Sequence, residues 1–340
     1  PIASRKGVVL MTDKVRVAFI GAGNLANGVH YPNLASLPDV DLAANCDLFL
    51  DKAQATAKRF GIPRVYSDYE KMLAEVDPQA VYAIMPPQDI FAPASAVLRQ
   101  GRHLFVEKPL GMTAHQARLL AYLAKEHSCL TAVGFQRRHI PALTAFKRRV
   151  EERGPIQQAT VSFLKSTDLS QHAGVYGGII DNLTVDGCHA VDTLRFLCGG
   201  EVEQVAAHVR TRRVPGTSPN EFTALVSFSS GAVGILNSSY ATGRRMFRVE
   251  FHGPNITAYV DADRDSYIVA DNGEAEVYES QEFGTADGAP GDSPRHWRGQ
   301  WHQTRQFIDC VKAGRQPLTN FAEAAKTMEL VERIHTVGSA

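Results

Sequence analysis

The stretch Val15–Ala26, VRVAFIGAGNLA, decides the fold. Six strand-forming residues run straight into a GxGxxA turn, and helical spacing resumes behind it. In such a strand–turn–helix unit Gly21 makes the tight turn, Gly23 lets a pyrophosphate approach the backbone, and Ala26 allows close helix packing. Asn24 and Leu25 complete the loop at the helix N-terminus, where free N–H groups favour phosphate. The motif alone also fits an ordinary strand–helix turn, so context carries the reading. The next strand, Val40–Cys46, ends in Asp47 about 20 residues on, where a carboxylate accepts from the adenosine ribose hydroxyls. Leu48 and Phe49 offer no arginine for a 2′-phosphate. We therefore expect NAD; NADP stays open through Lys52 and Arg59.

Outward from this unit, Ala80–Met85 and His103–Glu107 read as further strands, and LDKAQATAKRF and IFAPASAVLRQ as helices. Strand–helix alternation predicts a parallel sheet covered on both faces, binding ligands at its carboxyl ends. Glu107 and Lys108 sit at one such end, and Pro109 follows them. A cis Lys108–Pro109 bond stays open, though the base rate of about 5% for X–Pro bonds argues against assuming it. After Gly134 the rhythm changes to extended runs separated by glycine or asparagine turns, which predicts an antiparallel or mixed sheet. One strong helix, TVDGCHAVDTLRFLCGG, interrupts them, Glu282–Arg298 reads as a loop, and helices over 303–312 and 321–337 close the chain. The fold class is α/β, in two parts. Residues 12–134 are expected to form a doubly wound Rossmann domain for a dinucleotide, and residues 135–340 a second domain with a large, open, mostly antiparallel sheet, which the family resemblance given below makes the substrate-binding and oligomerisation domain.

The 340 residues carry 36 basic and 36 acidic side chains, which gives no electrostatic case for nucleic acid or an anionic membrane surface. No apolar run approaches the length of a membrane span. The first ten residues lack the core of a signal peptide, and Met11 is a candidate start. Five scattered cysteines without CxxC spacing argue against a disulfide framework and against zinc. A cytoplasmic protein is expected, with no metal.

GAGNLA, then MPPQ after the fourth strand, EKPLG after the fifth, GFQRRHIP and DGCHAVDTLRFLCGG resemble the Gfo/Idh/MocA oxidoreductases over nearly the whole chain after Met11. The resemblance implies hydride transfer between a nicotinamide and a secondary alcohol or ketone of a sugar, polyol or inositol. It places Lys108 beside the nicotinamide, touching the reacting hydroxyl, and His189 as general base. The chemistry fits: a cation favours a developing alkoxide, and imidazole titrates near neutrality. Glu107 is expected to orient Lys108 and hold it charged. The family's acid usually lies four residues before the histidine, at Val185 here; Asp186, three before, is the substitute or points elsewhere. Asp192 is expected to tie its helix to neighbouring backbone.

Pro86 and Pro87 are expected to floor the nicotinamide pocket; where many relatives carry a histidine three residues on, this chain has Ile90. Arg137, Arg138 and His139 either touch substrate or form a solvated helix entry. Lys165 is in reach of a polar substrate. Tyr176, Trp297, Trp301 and His302 line a sugar site or simply pack. Relatives use the open sheet face between subunits, so a homodimer or homotetramer is expected. Two alternatives remain: a relative that eliminates a glycosidic group by transient redox with tightly held NAD, and a non-catalytic nucleotide-binding sugar sensor.

Overall fold

A computed structural model describes residues 14–166, 180–212, 218–279, 282–283 and 293–339. Strands β1 (Val15–Ile20), β2 (Val40–Cys46), β3 (Val65–Tyr66), β4 (Ala80–Ala83), β5 (His103–Val106) and β6 (Thr131–Val133) form one sheet in the order 3-2-1-4-5-6. Every pair in it is parallel. The strand order reverses between β1 and β4, and a crevice opens there at the carboxyl ends. Strands β1 and β4 are buried on both faces, as a sheet covered by helices requires.

Behind Gly21 the chain makes a π-helical turn, Ala26–His30, and continues as α1 (Tyr31–Ala35). Then come α2 (Leu50–Phe60), α3 (Tyr69–Val76), α4 (Phe91–Arg99), α5 (Ala114–Glu126) and α6 (Pro141–Glu151). Thr113 caps α5, which buries Ala114, Ala117, Leu120 and Ala124 at helical spacing.

The second sheet holds β7 (Gln158–Ser166), β8 (Val202–Arg210), β9 (Glu221–Phe228), β10 (Val233–Ser239), β11 (Ala241–Gly253), β12 (Ile256–Asp261), β13 (Ser266–Ala270) and β14 (Glu276–Tyr278). Their order is 14-13-12-11-7-10-9-8; β7 and β10 pair in parallel and the other neighbours antiparallel. On one face Ala224, Leu236, Val161, Val249 and Val260 are buried, and α7 (Cys188–Cys198) packs there. On the other face one register row crosses all eight strands: Ala206, Leu225, Ile235, Thr160, Glu250, Tyr259, Tyr267, Val277. Leu225 in that row is half exposed, and Tyr259 stacks on Tyr267 at 4.3 Å.

Helices α8 (Pro294–Trp297), α9 (Gln300–Ala313) and α10 (Phe321–Gly338) close the chain. α9 returns to the first sheet, where Trp301, Phe307 and Ile308 join Phe19, Tyr31, Tyr82 and Phe105 in one core. Arg305 fixes this return through both oxygens of Asp39, at 2.7 and 2.9 Å.

Several expectations change. β4 stops at Ala83, because the Ile84 backbone turns to meet Gly21. The Lys108–Pro109 peptide is cis. Residues 294–297 are helical although they fall in a polar stretch: Ser293 caps them and Pro294 suits a first turn. β13 and β14 extend the sheet beyond the strands read from sequence. No helix among the described residues is long and apolar enough to cross a membrane.

Candidate active site

The GAGNLA turn lies over the end of β1. Gly21 has φ +110°, and a Cβ there would meet the Ile84 carbonyl oxygen at 2.0 Å, so only glycine fits. Gly23 has nothing within 4 Å of its Cβ position, which leaves its backbone open to a ligand. Asn24 and Leu25 are exposed beside it, and Ala26 is buried. Asp47, just past β2, accepts from the Ala22 N–H at 2.7 Å and the Phe49 N–H at 2.9 Å. Its carboxylate therefore leans on the glycine turn. Of the two nearby cations, Lys52 lies over the Phe49 ring at 4.3 Å and Arg59 over Phe60 at 4.8 Å. Pro86 is exposed at the end of β4; Pro87 and Ile90 are buried beneath it.

Glu107 does not hold the Lys108 ammonium. Consecutive residues leaving a strand point to opposite sides, and these two separate. Glu107 accepts from His30 Nε2 at 2.8 Å and from the Lys108 backbone N–H at 3.1 Å. Its carboxylate rests on Gly134, where a Cβ would lie 2.6 Å from an oxygen. Lys108 Nζ reaches the other way, donating to the Val185 carbonyl at 2.7 Å and lying 3.7 Å from Asp186 Oδ1.

Asp186 is the hub of the second domain's contribution. Its Oδ2 pairs with Lys165 of β7 and lies 3.2 Å from the Tyr240 hydroxyl. Burial alone would raise the Asp186 carboxyl, but Lys108, Lys165 and the Tyr240 hydrogen bond outweigh it and hold it below its ordinary value. Burial lowers the Lys165 ammonium, against the pull of Asp186, while Arg245 and Lys108 lower it further. Leu183–Gly187 is a π-helical turn that leads into α7. It changes the angle between Asp186 and His189, and no Asp186–His189 hydrogen bond forms among the described residues.

His189 lies on the first turn of α7, 5% exposed, with edge-on contacts to Phe135 at 6.1 Å and Phe163 at 6.5 Å. Its Nδ1 has no hydrogen-bond partner among the described residues. Burial first, then the charges of Lys108, Arg137, Lys165 and Arg245, hold its pKa well below the usual value, so it is neutral at pH 7. The Phe163 ring gathers the group: Lys165 Nζ is 5.0 Å and Arg137 Cζ 5.8 Å from its centroid.

Arg137, Arg138 and His139 are buried rather than a solvated helix entry. Arg138 grips Asp192 through two 2.7 Å bonds, and Thr327 donates to the same carboxylate at 2.9 Å. Asp192 is thus structural, through side chains rather than backbone. His139, Trp301 and His302 do not reach Lys108. They line a cavity of about 870 Å³ beside Asp39 and Arg305. Trp301 packs in the core and donates to Ser36, and Trp297 lies beside Asp263 and Arg298. Tyr176 lies outside the described residues. Tyr240 and Arg245 were missed by sequence reading; nothing local marks a residue that arrives from the far end of a strand.

Burial, with Arg138 and His302 adding, pushes the His139 pKa down to about 3. The unfolded imidazole titrates near 6.5, so between roughly pH 6.5 and 3 the unfolded chain binds a proton that the folded one refuses. Stability is full above this window and falls through it by up to about 1.4 kcal/mol per pH unit. Urea unfolding of His139→Asn across pH 4–7 is expected to show a flatter acid limb than wild type; an unchanged slope would mean that the ring protonates in the fold.

Two family models match the chain: an oxidoreductase family with an NAD-binding Rossmann fold over residues 15–135, and the GFO/IDH/MocA C-terminal domain over residues 152–258. The chain is 25% identical to scyllo-inositol 2-dehydrogenase (NAD(+)) of Bacillus subtilis (strain 168), covering 94% of this chain and 93% of that one. It is 26% identical to myo-inositol 2-dehydrogenase of Thermotoga maritima, covering 89% and 90%. A dehydrogenase structure from Chromobacterium violaceum shares the fold, with a TM-score of 0.84 over 96% of both chains at 19% identity. With both family models in place along one chain, the protein belongs to the Gfo/Idh/MocA family of NAD-binding oxidoreductases.

Proposed function

We propose that the protein is an NAD-dependent dehydrogenase or reductase acting at a secondary alcohol or ketone of a sugar, polyol or inositol, with Lys108 and His189 flanking the reacting carbon. One observation carries the reading. The Lys108 ammonium, from the carboxyl end of β5, reaches the π-turn that precedes His189, so the two domains bring a cation and a neutral imidazole to one place.

The open backbone at Gly23 fits a dinucleotide. Gly21, Gly23, Asn24, Leu25, Ala26 and Asp47 would hold its phosphates and ribose, and Pro86, Pro87, Glu107 and Lys108 would border its nicotinamide. When bound, NAD supplies the hydride acceptor. In the oxidative direction the neutral His189 takes the hydroxyl proton. Lys108 places positive charge on the oxygen as it becomes an alkoxide. Asp186 pairs with both Lys108 and Lys165 and does not relay the proton. Arg137 and Lys165 border the substrate. The π-turn explains how an acid three residues before the histidine serves the lysines instead.

The test is a sugar and polyol panel followed at 340 nm with NAD and NADP in parallel. Formation of NADH with at least one member supports the reading; NAD-loaded protein inert to the whole panel in both directions would remove it. The division near residue 134 and self-association belong to the same reading. The half-exposed Leu225 and the tyrosine pair lie in an uncovered row across eight strands, and such a face is more stable covered by a second copy. Light scattering is expected to give a dimer or tetramer that Leu225→Glu dissociates; a wild-type monomer would rule this out.

A further inference from the structure

We infer that the substrate carries a carboxylate beside its reacting alcohol, and that Arg137 is the residue that receives it. This rests on the dehydrogenase reading above for the chemistry, and adds the class of molecule.

The observation is a contrast between neighbours. Arg137 and Arg138 are each 3% exposed. Arg138 has a dedicated partner in Asp192. Arg137 has none: neither a hydrogen bond nor an ion pair joins its side chain to any described residue, and its Nε and Nη1 are buried without partners among them. What it has is aromatic, the Phe247 ring at 4.2 Å and Phe163 at 5.8 Å. Such contacts offset only part of what burying an unpaired ion costs. Burial and Arg245 lower its pKa to about 10, which leaves it charged at neutral pH.

The surroundings deepen the deficit. Lys108, Arg137, Lys165 and Arg245 all bear on His189, and Asp186 is the carboxylate among them. Four positive charges against one leave three in excess among these residues. Asp263, the other acid acting on Arg137, is held by Arg298, with its Nε at 2.6 Å. A neutral polyol leaves this excess standing. A carboxylate on the substrate would neutralise part of it, and a guanidinium matches a carboxylate in shape as well as charge. Because Arg137 and His189 border the same Phe163 ring, the acid and the reacting hydroxyl belong to one small molecule.

The experiment uses NADH-loaded protein, so that binding is read without turnover. Titration calorimetry compares D-galactose with D-galacturonate, and D-glucose with D-glucuronate and glucose 6-phosphate. At least one acid is expected to bind about 30-fold more tightly than its neutral partner, and Arg137→Gln to reduce that preference to below about threefold. Equal binding within both pairs, or a preference unchanged in R137Q, would overturn the inference; tighter binding of the phosphate would overturn the carboxylate assignment. Stability gives a second readout. Arg137→Met removes an uncompensated buried charge, so the ligand-free protein is expected to melt no lower than wild type. A marked drop would make Arg137 structural and end the proposal. Turnover separates the two readings: acid binding without NADH production sinks the dehydrogenase assignment alone, and neutral turnover without acid preference sinks only this inference.

Discussion

Lys108→Met is expected to lower kcat/KM about 10³-fold while the affinity for NAD, read by fluorescence titration, stays within about threefold. Removing one preorganised donor from a developing oxyanion costs roughly 10²–10³ in rate, and Lys108 combines a donor with full charge. The fold should tolerate the change. Lys108 leaves Asp186 with Lys165 and Tyr240 as partners, and methionine retains the stem's volume. Cofactor affinity should hold because the phosphate turn and Asp47 lie at the ends of other strands. Lys108→Arg is the informative companion: it keeps the charge but spreads it over a planar fork, so only partial activity is expected. Wild-type turnover in the methionine variant would remove Lys108 from the chemistry.

The dinucleotide half was legible because its signals are local. Strand, glycine turn and helix follow one another within Val15–Ala35, and Asp47 lies where the next strand must end. Even the steric demand at Gly21 follows from adjacency, since β1 pairs directly with β4 and the chain beyond β4 crosses the turn. The substrate half was legible only in outline. Sequence placed Lys108, His189, Asp186, Lys165 and Arg137 as candidates, and the structure brings all five around Phe163 and the π-turn. It could not show the pairing among them. Glu107 was read as the partner of Lys108 because they are neighbours in sequence, yet neighbours at a strand end diverge, and the acid that serves Lys108 is 78 residues further on. A single π-turn, which leaves no mark in composition, decides that Asp186 faces two lysines instead of His189. Three adjacent basic residues at 137–139 read equally as substrate contacts or as a solvated helix entry, because their charge is local information, whereas their burial comes from distant segments folding over them.

The neutral imidazole, whose Nδ1 has no hydrogen-bond partner among the described residues, leads to the second large effect. His189→Asn is expected to reduce kcat for alcohol oxidation about 10²–10⁴-fold, the range for a lost general base. It should also change the shape of the pH profile. In the wild type, four cations and burial keep His189 unprotonated at pH 7, so kcat/KM should be flat through neutrality and fall only in acid, well below pH 6.5. Asparagine occupies similar space but cannot take a proton, so the residual activity should lose that acid limb. Loss of rate with the limb intact would place the base elsewhere and make His189 a packing residue against Phe135 and Phe163. Loss of both assigns the proton to His189. Because Asp186 makes no bond to this ring, Asp186→Asn should leave the limb in place and act through Lys108 and Lys165 instead. The double substitution should then lose rate close to the product of the single losses, whereas a proton relay between the two residues would make the second loss nearly free.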